Sequence, residues 1–227
     1  MDIDVTNQRQ AILKVLGEQG FTVSPSLPVK KTFELRPAEE IGRRLWAIKA
    51  VVLWVSFEEA DLSSEKVHLY VTSNALGRYL SKKESAILKE PRAEANKNHI
   101  SEIGWAMEGA WSLAWVLGYK PAPDHAGEMI DDEHIKGIFY EFIPPITAGF
   151  ADWLSAKTAA PFEDIVFMED IFYCVHNAAR SAVIGRKDTV PEAFHPIVNG
   201  GVIQERRKAL TWALSAGVAW DDTDVST

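Results

Sequence analysis

The sequence predicts an all-α, single-domain helical bundle of about eight helices with its C-terminal tail docked back on the bundle. Three observations carry that expectation. Apolar residues recur at spacings of three and four in almost every segment. Helix start and stop signals, such as Pro37, Ser81, Gly118 and Gly185, fall between those segments. No stretch alternates with period two for long enough to form a convincing strand; Leu69-Tyr70-Val71-Thr72 comes nearest. The expected organisation is one unit, 1–227, in which 1–36 form an N-terminal helix and extended connector and 37–227 the main bundle.

The elements follow in order. Thr6 to Gln19 carries Ile12, Leu13, Val15 and Leu16 on one rough stripe and stops at Gly20. Phe21 to Arg36 holds Pro25 and Pro28 and reads as extended. Pro37 opens a helix to about Glu58, with Glu39 and Glu40 at its positive end. Ile41, Leu45, Ile48, Val52 and Val55 form its buried stripe. A third helix is expected over 64–80. Ser81-Lys82-Lys83-Glu84 matches a capping box and starts a short, solvated fourth. Further helices are expected over 93–117, 132–143, 146–157, 161–184 and 201–216, with loops at 119–132 and 186–200.

Composition excludes several classes. Of 227 residues, 47% are hydrophobic, too many for a disordered chain. A single Cys excludes a disulfide framework and a thiolate zinc site, and it suits a reducing, cytoplasmic compartment. The net charge of -8 opposes a nucleic-acid surface. Met1-Asp2-Ile3-Asp4 lacks the basic start of a signal peptide. The most apolar stretch, Leu45 to Phe57, is broken by Lys49 and is too short for a membrane span.

Three helices place polar residues on faces expected to be buried. At about 100° per residue, Trp105, Glu108, Trp111 and Trp115 fall within about 120°. Tyr173, His176 and Arg180 fall within about 60°, with Asp170 just outside. These are residue types that can read a phosphate or carboxylate. In the last helix Arg206 lies in the middle of the apolar side formed by Val202, Ile203, Ala209, Leu210 and Ala213. A core-facing Arg needs a partner, and Glu108 is the expected one. Arg207 and Lys208 read as a solvated face. Trp212 lies on the Lys208 side and is expected to meet another element such as the tail.

The candidate cluster is therefore Glu108, Tyr173, His176, Arg180, Glu205 and Arg206, walled by Trp105, Trp111, Trp115 and Trp212. It reads either as a site or as an internal hydrogen-bond network. Asp124, His125, Glu128, Asp131, Asp132, Glu133 and His134 are metal-ligand types, but their spacing matches no zinc motif, so no metal is expected. Cys174 reads as a small core residue. No glycine-rich phosphate loop or nucleophile elbow is present, and no cofactor is expected.

Several segments together resemble the family catalogued as domain of unknown function 4272. They are Leu35-Arg36-Pro37-Ala38-Glu39-Glu40-Ile41 with Arg44, Trp105-Ala106-Met107-Glu108, and Leu113-Ala114-Trp115-Val116-Leu117-Gly118. Tyr173-Cys174-Val175-His176 with Ala178 and Arg180 is similar to a further motif. The most specific are Gly201-Val202-Ile203-Gln204-Glu205-Arg206-Arg207-Lys208-Ala209-Leu210-Thr211-Trp212 and the closing Trp220-Asp221-Asp222-Thr223 with Thr227. Cys174, Asn177, Arg207 and Thr211 depart from the family pattern, which has Arg, Trp, His and Asn there. The resemblance implies that the residues singled out by helical geometry belong to the family's motifs. It implies no reaction.

The leading functional expectation is a cytoplasmic, non-catalytic binding or interaction module whose partner is a protein or a small anionic ligand. A homo-oligomer is compatible with it, whereas nucleic acid and membrane are not expected. The alternative is an enzyme or small-ligand binder for a phosphate or carboxylate, using the Glu/His/Arg cluster. Trp220 is expected to dock on the bundle.

Overall fold

The structure, a computed structural model, describes residues 4–186 and 188–227. Nine α-helices are named in chain order among the described residues: α1 (Val5–Glu18), α2 (Ala38–Ser56), α3 (Ser64–Ser73), α4 (Lys82–Ile87), α5 (Arg92–Val116), α6 (Asp132–Lys136), α7 (Phe150–Ser155), α8 (Phe162–Val183) and α9 (Val198–Ala213). No strand is formed among the described residues; Leu69–Thr72 lies within α3. The chain is therefore all-α.

Helix α2 lies against α5, α5 against α9, α9 against α8, and α8 against α1. Contacts fix their directions. Glu108 meets Arg206, and Trp105 lies over Gly201, so α5 and α9 run parallel. Ala179 packs on Gly200 while Thr211 bonds Glu169, so α8 and α9 run antiparallel. The two central helices thus have neighbours on two sides, and charged residues there must find partners inside the protein.

The α2 stripe, Ile41, Leu45, Ile48, Val52 and Val55, is buried throughout. Lys49 is buried too. Its ammonium donates to the carbonyls of Phe139, Ile143 and Pro144 at 2.7, 3.1 and 2.8 Å. It thereby caps the one-turn π-helix (Gly137–Phe142) that follows α6. Burial lowers its pKa to about 8.

Several expected bounds are corrected. Helix α3 ends at Ser73 instead of reaching 80. The side chains of Thr72, Ser73 and Asn74 bond the carbonyls of His68, Leu69 and Tyr70, taking over the last turn. Ala75 then turns left-handed at φ 49°, and a short 3-10 turn, Leu76–Tyr79, follows. Helix α7 covers only Phe150–Ser155 of the expected 146–157. Helix α9 starts at Val198, earlier than expected, because the His195 imidazole accepts from the Val198 N–H at 3.2 Å. It stops at Ala213 because the next residues pair with the connector. Glu34 N donates to Leu214 O and Ala216 N to Glu34 O, both at 3.0 Å.

Two solvated-face expectations also fail. The capping box at Ser81 and Glu84 forms, but the Glu84 carboxylate turns inward onto Arg44. Its oxygens accept from Arg44 Nη1 and Nη2 at 2.6 and 2.8 Å. Arg207 is buried against α8, because α9 is covered there as well as on its α5 side.

Candidate functional site

The polar residues singled out from the sequence do not converge on one site. They divide into a closed pair, a second buried network, and residues lining separate cavities.

Glu108 and Arg206 close on each other, both fully buried at 0% exposure. Arg206 Nε and Nη2 donate to Glu108 Oε2 at 2.9 and 2.8 Å. The other oxygen, Oε1, accepts from the Ile130 N–H at 2.7 Å. The remaining guanidinium donors reach Asp124 O at 2.9 Å and Glu128 O at 2.6 Å. Trp111 lies under the guanidinium, 4.7 Å from its centre, and spends its own N–H on Pro121 O. Burial raises the Glu108 carboxyl above the ordinary range, and Arg206 with the Ile130 amide limits that rise. Every strong donor and acceptor has a partner. The pair staples the 119–131 loop to α5 and α9 and leaves no room for a ligand.

The second network sits between α8 and α9. Arg207 stacks on Tyr173 at 4.1 Å and donates to His176 Nδ1 at 3.0 Å. It also holds the carbonyls of Val225 and Ser226, at 3.0 and 3.2 Å. Glu169 is buried beside it and accepts from Thr211 at 2.8 Å. Arginine can only donate, so the bonded nitrogen of His176 is the unprotonated one. The basic nitrogen is thus occupied. Burial, with Arg207 and Arg180 nearby, pushes the imidazole down to about 4. A general-base role near neutral pH does not fit.

A pH dependence follows from that shift. The unfolded imidazole titrates near 6.5 and the folded one at about 4. Between those values the unfolded chain binds the extra proton, so stability is fully present above pH 6.5 and is lost as the pH falls. The expected loss is about 2–3 kcal/mol. Urea denaturation of the parent and of His176→Gln, compared from pH 7 to pH 4.5, checks it. The parent should show the steeper loss; equal slopes would contradict the assignment.

The remaining candidates lie apart. Tyr173 lines a cavity with Arg207, Glu169 and Thr211. Arg180 is exposed and lines another, Trp212 a third. Trp115 is core. Of the four expected walls, only Trp105 shares a cavity with Glu205. The Asp124–His134 stretch is used structurally: Asp124 takes a guanidinium N–H of Arg206 at 3.2 Å and Asp131 caps α6. Among the described residues no three His, Cys, Asp or Glu side chains are placed to share an ion. Cys174 is buried, and burial pushes its thiol up to about 12.

The Glu205 cavity encloses about 280 Å³ between α2, α4, α5, α9 and the tail. Ile48, Val51, Ile87, Ile103 and Ala106 give it an apolar floor, and Trp105 and Trp220 give it walls. Its charges are nearly all spent. Arg44 is held by Glu84, which Arg44 and the Ser81 N–H keep below the usual carboxylate range despite burial. Lys83 pairs with Glu102 at 2.5 Å. Glu205 has no ion pair within 4.0 Å among the described residues, and burial raises its carboxyl above the usual range despite Lys208 and Arg44 nearby. Trp220 is fixed by Arg44 at 3.9 Å, by Lys208 at 5.2 Å and by the edge of Trp212 at 5.4 Å. The tail is therefore part of the cavity.

Arg44 and Glu84 were missed as site residues, yet half the signal was in the sequence. Arg44 lies three residues after Ile41 and four before Ile48, on the buried stripe of α2. Nothing local marks Glu84 beyond its cap. Arg9, also missed, is buried and donates to Asp170 at 2.9 Å, across most of the chain.

Among the described residues no helix is long and apolar enough to cross a membrane. The family model described as Domain of unknown function (DUF4272) matches residues 8–223, and the chain belongs to that family. No curated protein and no solved structure matches it.

Proposed function

We propose that this member of the DUF4272 family is a non-catalytic binding module whose ligand is a small, largely apolar amine, held between Trp105 and Trp220. The observation that carries this reading is Glu205, among the described residues the one acid of the cavity without an ion-pair partner. A half-buried carboxylate without an ion-pair partner is costly, and a ligand ammonium would reduce that cost. The apolar floor would take the ligand's hydrocarbon body. A cavity of about 280 Å³ suits a ligand of one ring or a short chain. The non-catalytic part of the reading is supported by His176, whose unprotonated nitrogen is held by Arg207, and by Cys174, which is buried. A reducing compartment such as the cytoplasm suits its single cysteine.

This ligand differs in charge from the anion expected from the sequence. That expectation required Glu108, His176, Arg180, Glu205 and Arg206 around one ligand, whereas Glu108 and Arg206 close on each other, His176 bonds Arg207, and Arg180 and Glu205 line different cavities.

Calorimetric titration of the full chain with benzylamine, benzyl alcohol and benzoate tests the reading. Benzylamine should bind most tightly and benzoate not at all. Glu205→Gln should weaken benzylamine about 10–100-fold, the size of a charge-assisted hydrogen bond, and leave benzyl alcohol nearly unchanged. No binding of benzylamine, or equal affinity in both proteins, would overturn it.

A further inference from the structure

The chain contains ten arginines. Among the described residues, seven of them (Arg9, Arg36, Arg43, Arg44, Arg92, Arg206 and Arg207) have a carboxylate within 4.0 Å. That leaves Arg78, Arg180 and Arg186. Two of those three, Arg180 and Arg186, line one cavity of about 300 Å³ between the C-terminal end of α8 and the extended connector. In a chain of net charge -8 that pairs nearly every other arginine, two guanidinium groups at one cavity that meet no carboxylate among the described residues need an explanation.

The rest of the lining matches them. Ser24, Ser26 and Ser181 bring hydroxyls, Ile184 and Thr227 complete the rim, Thr227 with its backbone oxygens, and among the described residues no Asp or Glu side chain takes part. The Ser24 and Ser26 hydroxyls bond each other at 2.9 Å. One proton serves that bond, so the second is free to donate to a ligand. Asn177 lies deeper, at 8% exposure. Its Oδ1 accepts from the Ser24 N–H at 2.9 Å, which fixes which end of the amide is oxygen. Its NH₂ has no protein acceptor within hydrogen-bond distance among the described residues and is left as a donor in the cavity wall. The site thus offers guanidinium, hydroxyl and amide donors, and among the described residues no side-chain carboxylate to receive them.

We propose that this cavity binds a phosphate group, either free or on a small monoester. Guanidinium groups match phosphate oxygens in fork geometry and stay charged at any ordinary pH. The negative end of α8 opposes an anion, but it amounts to about half a charge against two full ones. Compensation of that helix end accounts for Arg180, which lies in its last turn, but not for Arg186 or for the free amide of Asn177. His176 and Tyr173, grouped with Arg180 by helical geometry, take no part, because the Arg207 network holds them. This site is separate from the Glu205 cavity, and either can fail alone.

The test is calorimetry and ³¹P line broadening with inorganic phosphate and phenyl phosphate, at constant ionic strength, on the full chain. Arg180→Ala/Arg186→Ala should weaken binding at least tenfold, while Arg78→Ala, the third unpaired arginine, should change nothing. Circular dichroism confirms that each variant is folded, and Arg180→Lys/Arg186→Lys separates fork recognition from charge alone by an intermediate loss. Tighter binding of phenyl phosphate identifies a monoester ligand, and equal binding identifies the phosphate group as the whole determinant. The proposal is overturned by absence of binding at millimolar phosphate. It is equally overturned by a loss in Arg78→Ala matching that of the double variant.

Discussion

Alanine at Glu108 is expected to lower stability by about 3–5 kcal/mol, because it strands a charge that cannot be neutralised. Arg206 stays ionised at any ordinary pH and has no exposed surface through which water could replace the lost carboxylate. The Ile130 amide loses its acceptor in the same step. Alanine at Arg206 should cost a similar amount for the converse reason. It leaves Glu108 buried without its cation, so the carboxyl is either buried charged or takes up a proton, and it frees the carbonyls of Asp124 and Glu128. The double alanine variant should cost clearly less than the two single losses combined, since neither lone charge then remains. Urea denaturation of all four proteins gives the coupling energy. A coupling near zero would contradict the pair's role as the staple between α5, α9 and the 119–131 loop.

Removal of residues 218–227 is expected to cost about 3–5 kcal/mol and to lower the melting temperature by roughly 10 °C. Several interactions leave together. Trp220 is lost from its place among Arg44, Lys208 and Trp212. The first turn of α4 loses Asp221, whose carboxylate accepts from the Lys82 N–H at 2.9 Å. Arg207 loses two carbonyl partners, and Arg36 loses Val218 O. Trp220→Ala alone should show a smaller loss, because the capping and carbonyl contacts stay. Differential scanning calorimetry separates the two variants. An unchanged melting temperature in the deletion would show that the tail does not hold the bundle.

How much of this was legible in the sequence depends on whether the cause was local. The α2 stripe, the capping box at Ser81 and the placing of Glu108 opposite Arg206 all follow from helical spacing and the need to pair a buried charge. The early stop of α3 had a local cause as well, in the run Thr72-Ser73-Asn74, whose side chains compete for backbone carbonyls. Arg207 was not legible. On spacing it lies beside Ile203 and Leu210, but reading it as buried requires knowing that α8 covers the second side of α9. Glu84 and Arg9 find their partners across long stretches of chain, and no local pattern announces them. The cluster drawn from helical arcs divided for the same reason: Glu108 and Arg206 closed on each other, Tyr173 and His176 met Arg207, and Arg180 and Glu205 came to line separate cavities.

The central claim is that Glu205, and not the Glu108–Arg206 pair, is the acid that receives a ligand. Site-resolved ¹³C titration of the Glu205 carboxyl tests it most directly. In the free protein the carboxyl should titrate above the usual glutamate range, as burial dictates. With benzylamine bound it should move downward, because an adjacent ammonium favours the charged form. A titration midpoint that benzylamine leaves unmoved at saturating concentration would contradict the account.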